Sequence, residues 1–444
     1  MRFGLTIITS VVSLWTGFAW AEDAVTVDDV GVEAFTHPLP TLLPSAIRDG
    51  RILFRQVWLM PPARDDADFV GLGPVYNDIS CLGCHVRNGR SAAPETVDES
   101  MHGMLVRLSI PGLGPHGGPN PSAAYGDQLN DHAVPGVKAE GAGHVSYTEK
   151  LFRFPDGATT SLRVPHVVLS DLQFGPLEKG AMLSARVAQP IFGLGFLNAI
   201  PEADIVARAN RDSNRHGHAN LVWNIAEGRS TLGRFGWKAN QPTLAQQSAG
   251  AANGDMGLTS PLFPQKNCRQ VQTACREAAQ GPQPDLSSDR LTSLVKYLMT
   301  LAVPTRRNPS DSAVQHGESL FAKFGCAGCH VSSWTTGKVA DFPGLSEQLI
   351  HPYTDLLVHD MGAELADGRP DFLAGGREWR TTPLWAVGLA QRINPSASFL
   401  HDGRARSLTE AILWHGGEAN ASRNAFVHST ASDRADLLAF LNDL

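Results

Sequence analysis

The chain has 444 residues, 42% hydrophobic and 18% charged, with 37 Lys and Arg against 44 Asp and Glu for a net charge of −7. This globular composition excludes collagen-like repeats, wholesale disorder and polytopic membrane architecture, and the length suits two or three domains. No basic run exceeds Arg306-Arg307, which argues against a nucleic-acid partner, whereas a mildly acidic surface can steer a basic or neutral redox protein.

Arg2 opens a short positive region, Leu5–Phe18 is apolar and uncharged, and Ala19-Trp20-Ala21 forms an A-x-A cleavage site before Glu22. Residues 1–21 therefore read as a secretory signal peptide, since about 14 apolar residues are short for a membrane span. The expectation is a periplasmic protein with no span in its mature form.

Cys81-Leu82-Gly83-Cys84-His85 and Cys326-Ala327-Gly328-Cys329-His330 both read C-x-x-C-H. This is the attachment pattern of c-type haem: two thiols reach the vinyl groups on one porphyrin edge, and the adjacent imidazole reaches the iron. A redox dithiol would not be followed twice by histidine, and no second C-x-x-C completes a zinc knuckle. Two covalently bound haem c groups are expected, with His85 and His330 as iron ligands. Gly50-Arg51-Ile52-Leu53-Phe54 and Gly317-Glu318-Ser319-Leu320-Phe321 precede the motifs as a repeat, G-x-x-L-F. Between the phenylalanine and the first cysteine stand 26 residues in the first copy and four in the second, which implies an insertion. A weaker echo links Arg186–Phe196 with Arg380–Leu389.

The region Gly89–Pro176 is rich in Gly, Pro and short alternating runs, and reads as a few strands or long loops inserted in the first domain. Cys268 and Cys275 lack a neighbouring histidine, and export favours a disulfide between them. In a continuous helix their Cα atoms would lie about 10.5 Å apart, so the segment must turn. Ser288 can cap a helix striped by Leu291, Leu294, Val295, Leu298 and Met299, which Pro304 stops. The expected domains are 22–303, carrying the first haem and the insertion, and 311–444, carrying the second, with 304–310 as linker. Val314, Gly317, Leu320, Phe321 and Phe324 run at helical spacing into Cys326, and a terminal helix Ser432–Leu444 would pack on them. The fold class expected is mainly α, two cytochrome c-like haem domains with a loop-rich, partly β insertion in the first.

Ser407-x-x-Glu410 is a capping box, and Leu408, Ala411, Ile412 and His415 follow at i, i+3, i+4 and i+7, on one face. His415 is thus a candidate second ligand to the C-terminal haem or a surface histidine at a helix end. Met361, in Asp360-Met361-Gly362, is its rival. Asp255, in Asn253-Gly254-Asp255, is either a distal acid/base or a turn residue. His102 is a weaker distal candidate, and His216 and His218 sit in a polar loop.

The two C-x-x-C-H motifs, with Phe399-Leu400-His401-Asp402-Gly403-Arg404 and Leu408-Thr409-Glu410-Ala411-Ile412, resemble the bacterial di-haem cytochrome c peroxidase superfamily. Gly233-Arg234-Phe235-Gly236-Trp237-Lys238-Ala239, Asp255-Met256-Gly257-Leu258 and Trp414-His415-Gly416-Gly417-Glu418 look like its di-haem oxidoreductase branch, often labelled thiol oxidoreductase. The resemblance spans nearly the whole mature chain. It implies that His415 matches a position where relatives carry Met or Tyr, that Asp255 matches a distal Glu, and that Trp237 relays electrons between the haems. It also allows a calcium ion between the domains, though no acidic loop pattern marks one. The expected function is peroxidase-like: electrons from a cytochrome c or cupredoxin enter the C-terminal haem and reach a small oxidant at the N-terminal haem. The alternatives are oxidation of a thiol, metal ion or protein side chain, and non-catalytic electron carriage.

Overall fold

The computed structural model describes residues 26–40, 47–64, 68–209 and 217–444, so the signal-peptide segment and His216 lie outside the described residues. Two helix crossings organise it. Helix Arg48–Arg55 crosses helix Ser288–Met299, and helix Ser312–Lys323 crosses helix Ala431–Asp443. Both crossings use the glycine of G-x-x-L-F: a Cβ on Gly50 would lie 2.0 Å from Ser293 O, and one on Gly317 2.0 Å from Asp436 O. Only glycine lets the backbones approach so closely. The phenylalanine of each repeat then faces its haem-motif histidine, with ring centroids 6.0 Å apart for Phe54–His85 and 6.2 Å for Phe321–His330.

The caps are local chemistry. Asp311 Oδ1 accepts from Ala313 N at 2.8 Å and opens helix Ser312–Lys323. Helix Ser288–Met299 is capped by Ser287, one residue before the expected Ser288, and ends at Met299. Pro304 lies beyond that helix, in a two-residue parallel strand with Thr26–Val27. Arg306 Nε then meets Asp443 Oδ2 at 2.6 Å, so the residues after Pro304 are fastened to the C-terminal helix.

The expectation of a mainly α protein built of two cytochrome c-like domains is overturned: the chain is 31% helix and 20% strand, the strands spread over many small sheets. Strand Met104–Leu113 pairs with both Met182–Val187 and Pro119–Asn120, and Ala142–Arg153 forms a long antiparallel hairpin with Thr159–Ser170. The physical reason is composition. Thr159, Thr160, Val164, Val167 and Val168 are β-branched, and Pro155-Asp156-Gly157 supplies the turn, where Asp156 Oδ1 accepts from Ala158 N. Over the whole chain, 43 glycines and 29 prolines keep most helices short.

These strands bury their apolar side against the C-terminal half. Met104, Val106, Leu108, Val145 and Leu162 share one core with Phe321, Leu413, Trp414, Phe426 and Phe440. A second core joins Phe35, Phe54, Phe192, Phe196 and Tyr297 to Leu356, Trp385 and Ile393, so the two echoing segments pack together there. Cys268 and Cys275 form a disulfide with Cα atoms 5.7 Å apart; Cys275 lies in the short helix Thr273–Glu277 and Cys268 in the loop before it. Among the described residues no helix is long and apolar enough to cross a membrane.

Candidate functional site

Helix Leu408–Trp414 is opened by Ser407, whose Oγ accepts from Glu410 N at 3.2 Å. The return bond of the capping box lands one residue early, on Arg406 N. Leu408, Ala411, Ile412 and His415 all line one cavity of about 400 Å³, together with Cys326, Cys329, His330 and Met361. His330 Nδ1 donates to Tyr353 O at 2.9 Å, and His415 Nδ1 donates to Ala411 O at 2.7 Å. Burial depresses both imidazoles, His330 to about 4, where the neighbouring His415 pushes in the same direction. A neutral ring whose Nδ1 carries the proton presents an unprotonated Nε2, the form an iron ligand needs.

The first motif follows the same pattern. Cys81–Cys84 is a single helical turn capped by Ser80, and His85 Nδ1 donates to Gln189 O at 2.7 Å. Burial lowers His85 as well. Burial, then the carboxylates of Asp255 and Asp78, push the Cys81 thiol up to about 12 and Cys84 well above its ordinary value. A redox dithiol needs the opposite shift.

Asp255 is the penultimate residue of helix Leu244–Met256, and its carbonyl accepts from Asn77 N and Asp78 N, which draws it to the segment just before Cys81. Its Oδ1 accepts from Gln128 Nε2 at 2.8 Å, and burial raises its carboxyl above the usual range. Gln128 and Gly254 line a polar cavity of about 300 Å³ beside it. His102 has an exposed side chain, while His218 pairs with Glu378 at 3.1 Å.

Trp237 is buried on the wall of the larger cavity, its indole N–H donating to Val187 O at 2.9 Å. Its carbonyl accepts from Arg380 N at 2.8 Å, and Arg380 Nη2 donates to the Gln189 side chain at 2.8 Å. Gln189, through its own carbonyl, holds His85. One bonded path thus runs from the Trp237 wall to the first motif.

Sequence reasoning missed several residues of this site. His359, two residues before Met361, is buried with Nδ1 2.7 Å from Glu418 Oε2 and Nε2 3.0 Å from Asp355 Oδ2. Burial alone would lower it, but hydrogen bonds to Asp355, Cys329 and Glu418 push it up to about 12. His401 stacks on Trp379 with centroids 3.6 Å apart. Arg90 and Arg380 line the same cavity. Apart from Asp355, four residues before His359, the partners that fix His359, Arg90 and Arg380 lie far along the chain, so local spacing does not mark them; the string containing His401 was the one available signal.

The large cavity fits a haem: it is walled mainly by apolar and aromatic side chains, carries two cysteines, and has two carbonyl-anchored neutral imidazoles facing it. Calcium finds no matching set in the cluster of Cys329, Asp355 and His359, whose ligand atoms lie within 4.8 Å of one another. Calcium takes oxygen donors, and both His359 nitrogens are engaged by carboxylates. Over residues 23–444 the sequence matches the family described as "di-haem oxidoreductase, putative peroxidase". No curated protein matches the chain.

Proposed function

The chain belongs to the di-haem oxidoreductase family, and from that premise we propose that it is a periplasmic peroxidase-like enzyme with haem c at both C-x-x-C-H motifs. The reading is carried by one observation: His85, His330 and His415 share the same anchoring, Nδ1 on a backbone carbonyl. When bound, the haems supply one-electron transfer and reduction of the oxidant. His330 and His415, facing one cavity, would be the residues that hold the C-terminal haem. His85, its Nδ1 held by Gln189 O, would offer Nε2 to the N-terminal haem, where a small oxidant would be reduced. Trp237, fixed by its bond to Val187 O on the wall of the larger cavity, would be the electron relay that the resemblance implies. Asp255 manages the proton: Gln128 holds Oδ1, so Oδ2 takes a proton from the oxidant and returns it to the leaving oxygen. The raised carboxyl suits that exchange. The donor in this reading is a periplasmic cytochrome c or cupredoxin.

Optical and EPR spectra of the holoprotein in both redox states test the reading. One high-spin and one low-spin haem are expected, with turnover of peroxide by reduced cytochrome. Two low-spin haems would instead make the protein an electron carrier. An open haem with no peroxide turnover, but activity toward a thiol or Fe(II), would reverse the direction of electron flow.

A further inference from the structure

Arg90 and Arg380 are 7% and 6% exposed, and both line the cavity between His330 and His415. Neither guanidinium has a carboxylate within salt-bridge distance among the described residues. Arg90 donates from Nε to Ser398 O and from Nη2 to Leu400 O. Arg380 donates from Nε to Gly236 O, from Nη1 to Thr381 O and from Nη2 to Gln189 Oε1. All five acceptors are neutral. The carboxylates that act on them from farther away are already engaged, Asp402 by Arg404 at 2.7 Å and Asp355 by His359 at 3.0 Å. Burial is strong enough to pull both guanidiniums down to about 10.

Two buried cations facing one cavity without a counter-charge are expensive, because the desolvation of each is not offset by an anion. Arg234, also buried on carbonyls, differs. Its acceptors are Leu197 O and Ile200 O at the end of helix Leu194–Ala199, where the helix dipole is negative, and it does not line this cavity. The other buried cations beside the cavity have carboxylate partners: Lys238 meets Asp367 at 2.8 Å, and His359 lies between Asp355 and Glu418. Arg90 and Arg380 therefore stand out as a charge pair awaiting an anion.

We propose that Arg90 and Arg380 are the binding site for the two propionate carboxylates of the haem attached at Cys326 and Cys329. This rests on the reading that a haem occupies that cavity. The guanidinium fork suits a carboxylate, and two arginines match two propionates. Arg90 follows His85 by five residues, so the segment that binds one haem supplies a counter-charge to the other. Arg380, through Gln189, bonds to the residue that holds His85. The positive charge also disfavours the oxidised, more positive iron and holds the potential of the C-terminal haem up.

The test uses full-length holoprotein carrying Arg90→Gln, Arg380→Gln, Arg90→Lys or Arg380→Lys. Haem per chain is counted first, by pyridine haemochrome. Fewer than two haems in the wild type would sink the underlying functional reading; two haems leave the inference to be judged by the next measurements. In the glutamine variants the midpoint potential of the C-terminal haem should fall while that of the N-terminal haem moves less. The lysine variants keep the charge and lose the fork. They should hold the potential near the wild-type value while the propionate bending bands of the resonance Raman spectrum shift. Unmoved propionate bands in the lysine variants would overturn the assignment, even if the glutamine variants fail to mature. Unchanged potentials in mature glutamine variants would overturn it as well.

Discussion

The imidazole Nδ1 of His85 lies 2.7 Å from the carbonyl oxygen of Gln189, a residue 104 positions along the chain. That single bond fixes the ring's tautomer and its tilt, and it does so from a loop that also carries a hydrogen bond to Arg380 on the far cavity wall. His330 is held in the same way by Tyr353 O, and His415 by Ala411 O one helical turn back. A carbonyl anchor needs the proton on Nδ1, and burial disfavours the doubly protonated ring, so Nε2 is left for a metal.

His415→Ala should convert the C-terminal haem to high spin and leave the N-terminal haem almost untouched, read by EPR of the oxidised holoprotein. Met361→Leu should keep the low-spin signal, although Met361 lines the same cavity. Survival of that signal in His415→Ala, with its loss in Met361→Leu, would hand the ligand role to methionine.

Asp255→Asn keeps the shape of the side chain and the bond from Gln128 but cannot carry the proton. Peroxide turnover should drop by about 10²–10⁴-fold, the usual worth of a positioned general acid/base, with haem content unchanged. His102→Gln, on an exposed side chain, should change turnover little. Equal turnover in wild type and Asp255→Asn would reduce Asp255 to a helix-end residue tied to Asn77 and Asp78.

Gly317→Ala puts a methyl group 2.0 Å from the Asp436 carbonyl oxygen, where no flexible side-chain end can yield. The helices must part, at about 1–3 kcal/mol, the usual range for overpacking. Denaturant unfolding should show the loss, and Gly50→Ala should show a similar one against Ser293 O. A loss within about 0.5 kcal/mol, the range of neutral surface changes, would mean that the crossings have room to relax.

His359 gives stability a pH dependence whose sign can be worked out. Its folded pKa, pushed up to about 12, lies above that of a free imidazole near 6.5, so folding takes up a proton. The contribution is complete below about pH 6.5 and is lost as pH rises toward the folded value. His359→Gln should flatten the decline in unfolding free energy across the alkaline side of that window. An unchanged slope, measured by urea unfolding at several pH values, would show that Asp355 and Glu418 do not hold the ring charged.

What the chain determined by itself was chemistry written in short, contiguous strings. The two C-x-x-C-H motifs, the Ser407 cap with the face Leu408, Ala411, Ile412 and His415, and the Cys268–Cys275 separation all act within one or two turns of backbone, so spacing alone describes them. Strands were expected in Gly89–Pro176, but their extent was underestimated, because a hairpin such as Ala142–Arg153 with Thr159–Ser170 gains its length from cross-strand pairs and from burial against distant residues such as Trp414. Only tertiary structure decided the rest. The Nδ1 anchor of His85, the contact of Glu418 with His359, and the meeting of Arg90 and Arg380 on one cavity wall join residues separated by 104, 59 and 290 positions. Low-dielectric burial makes such long-range charge pairing strong, and burial is a property of the folded chain alone.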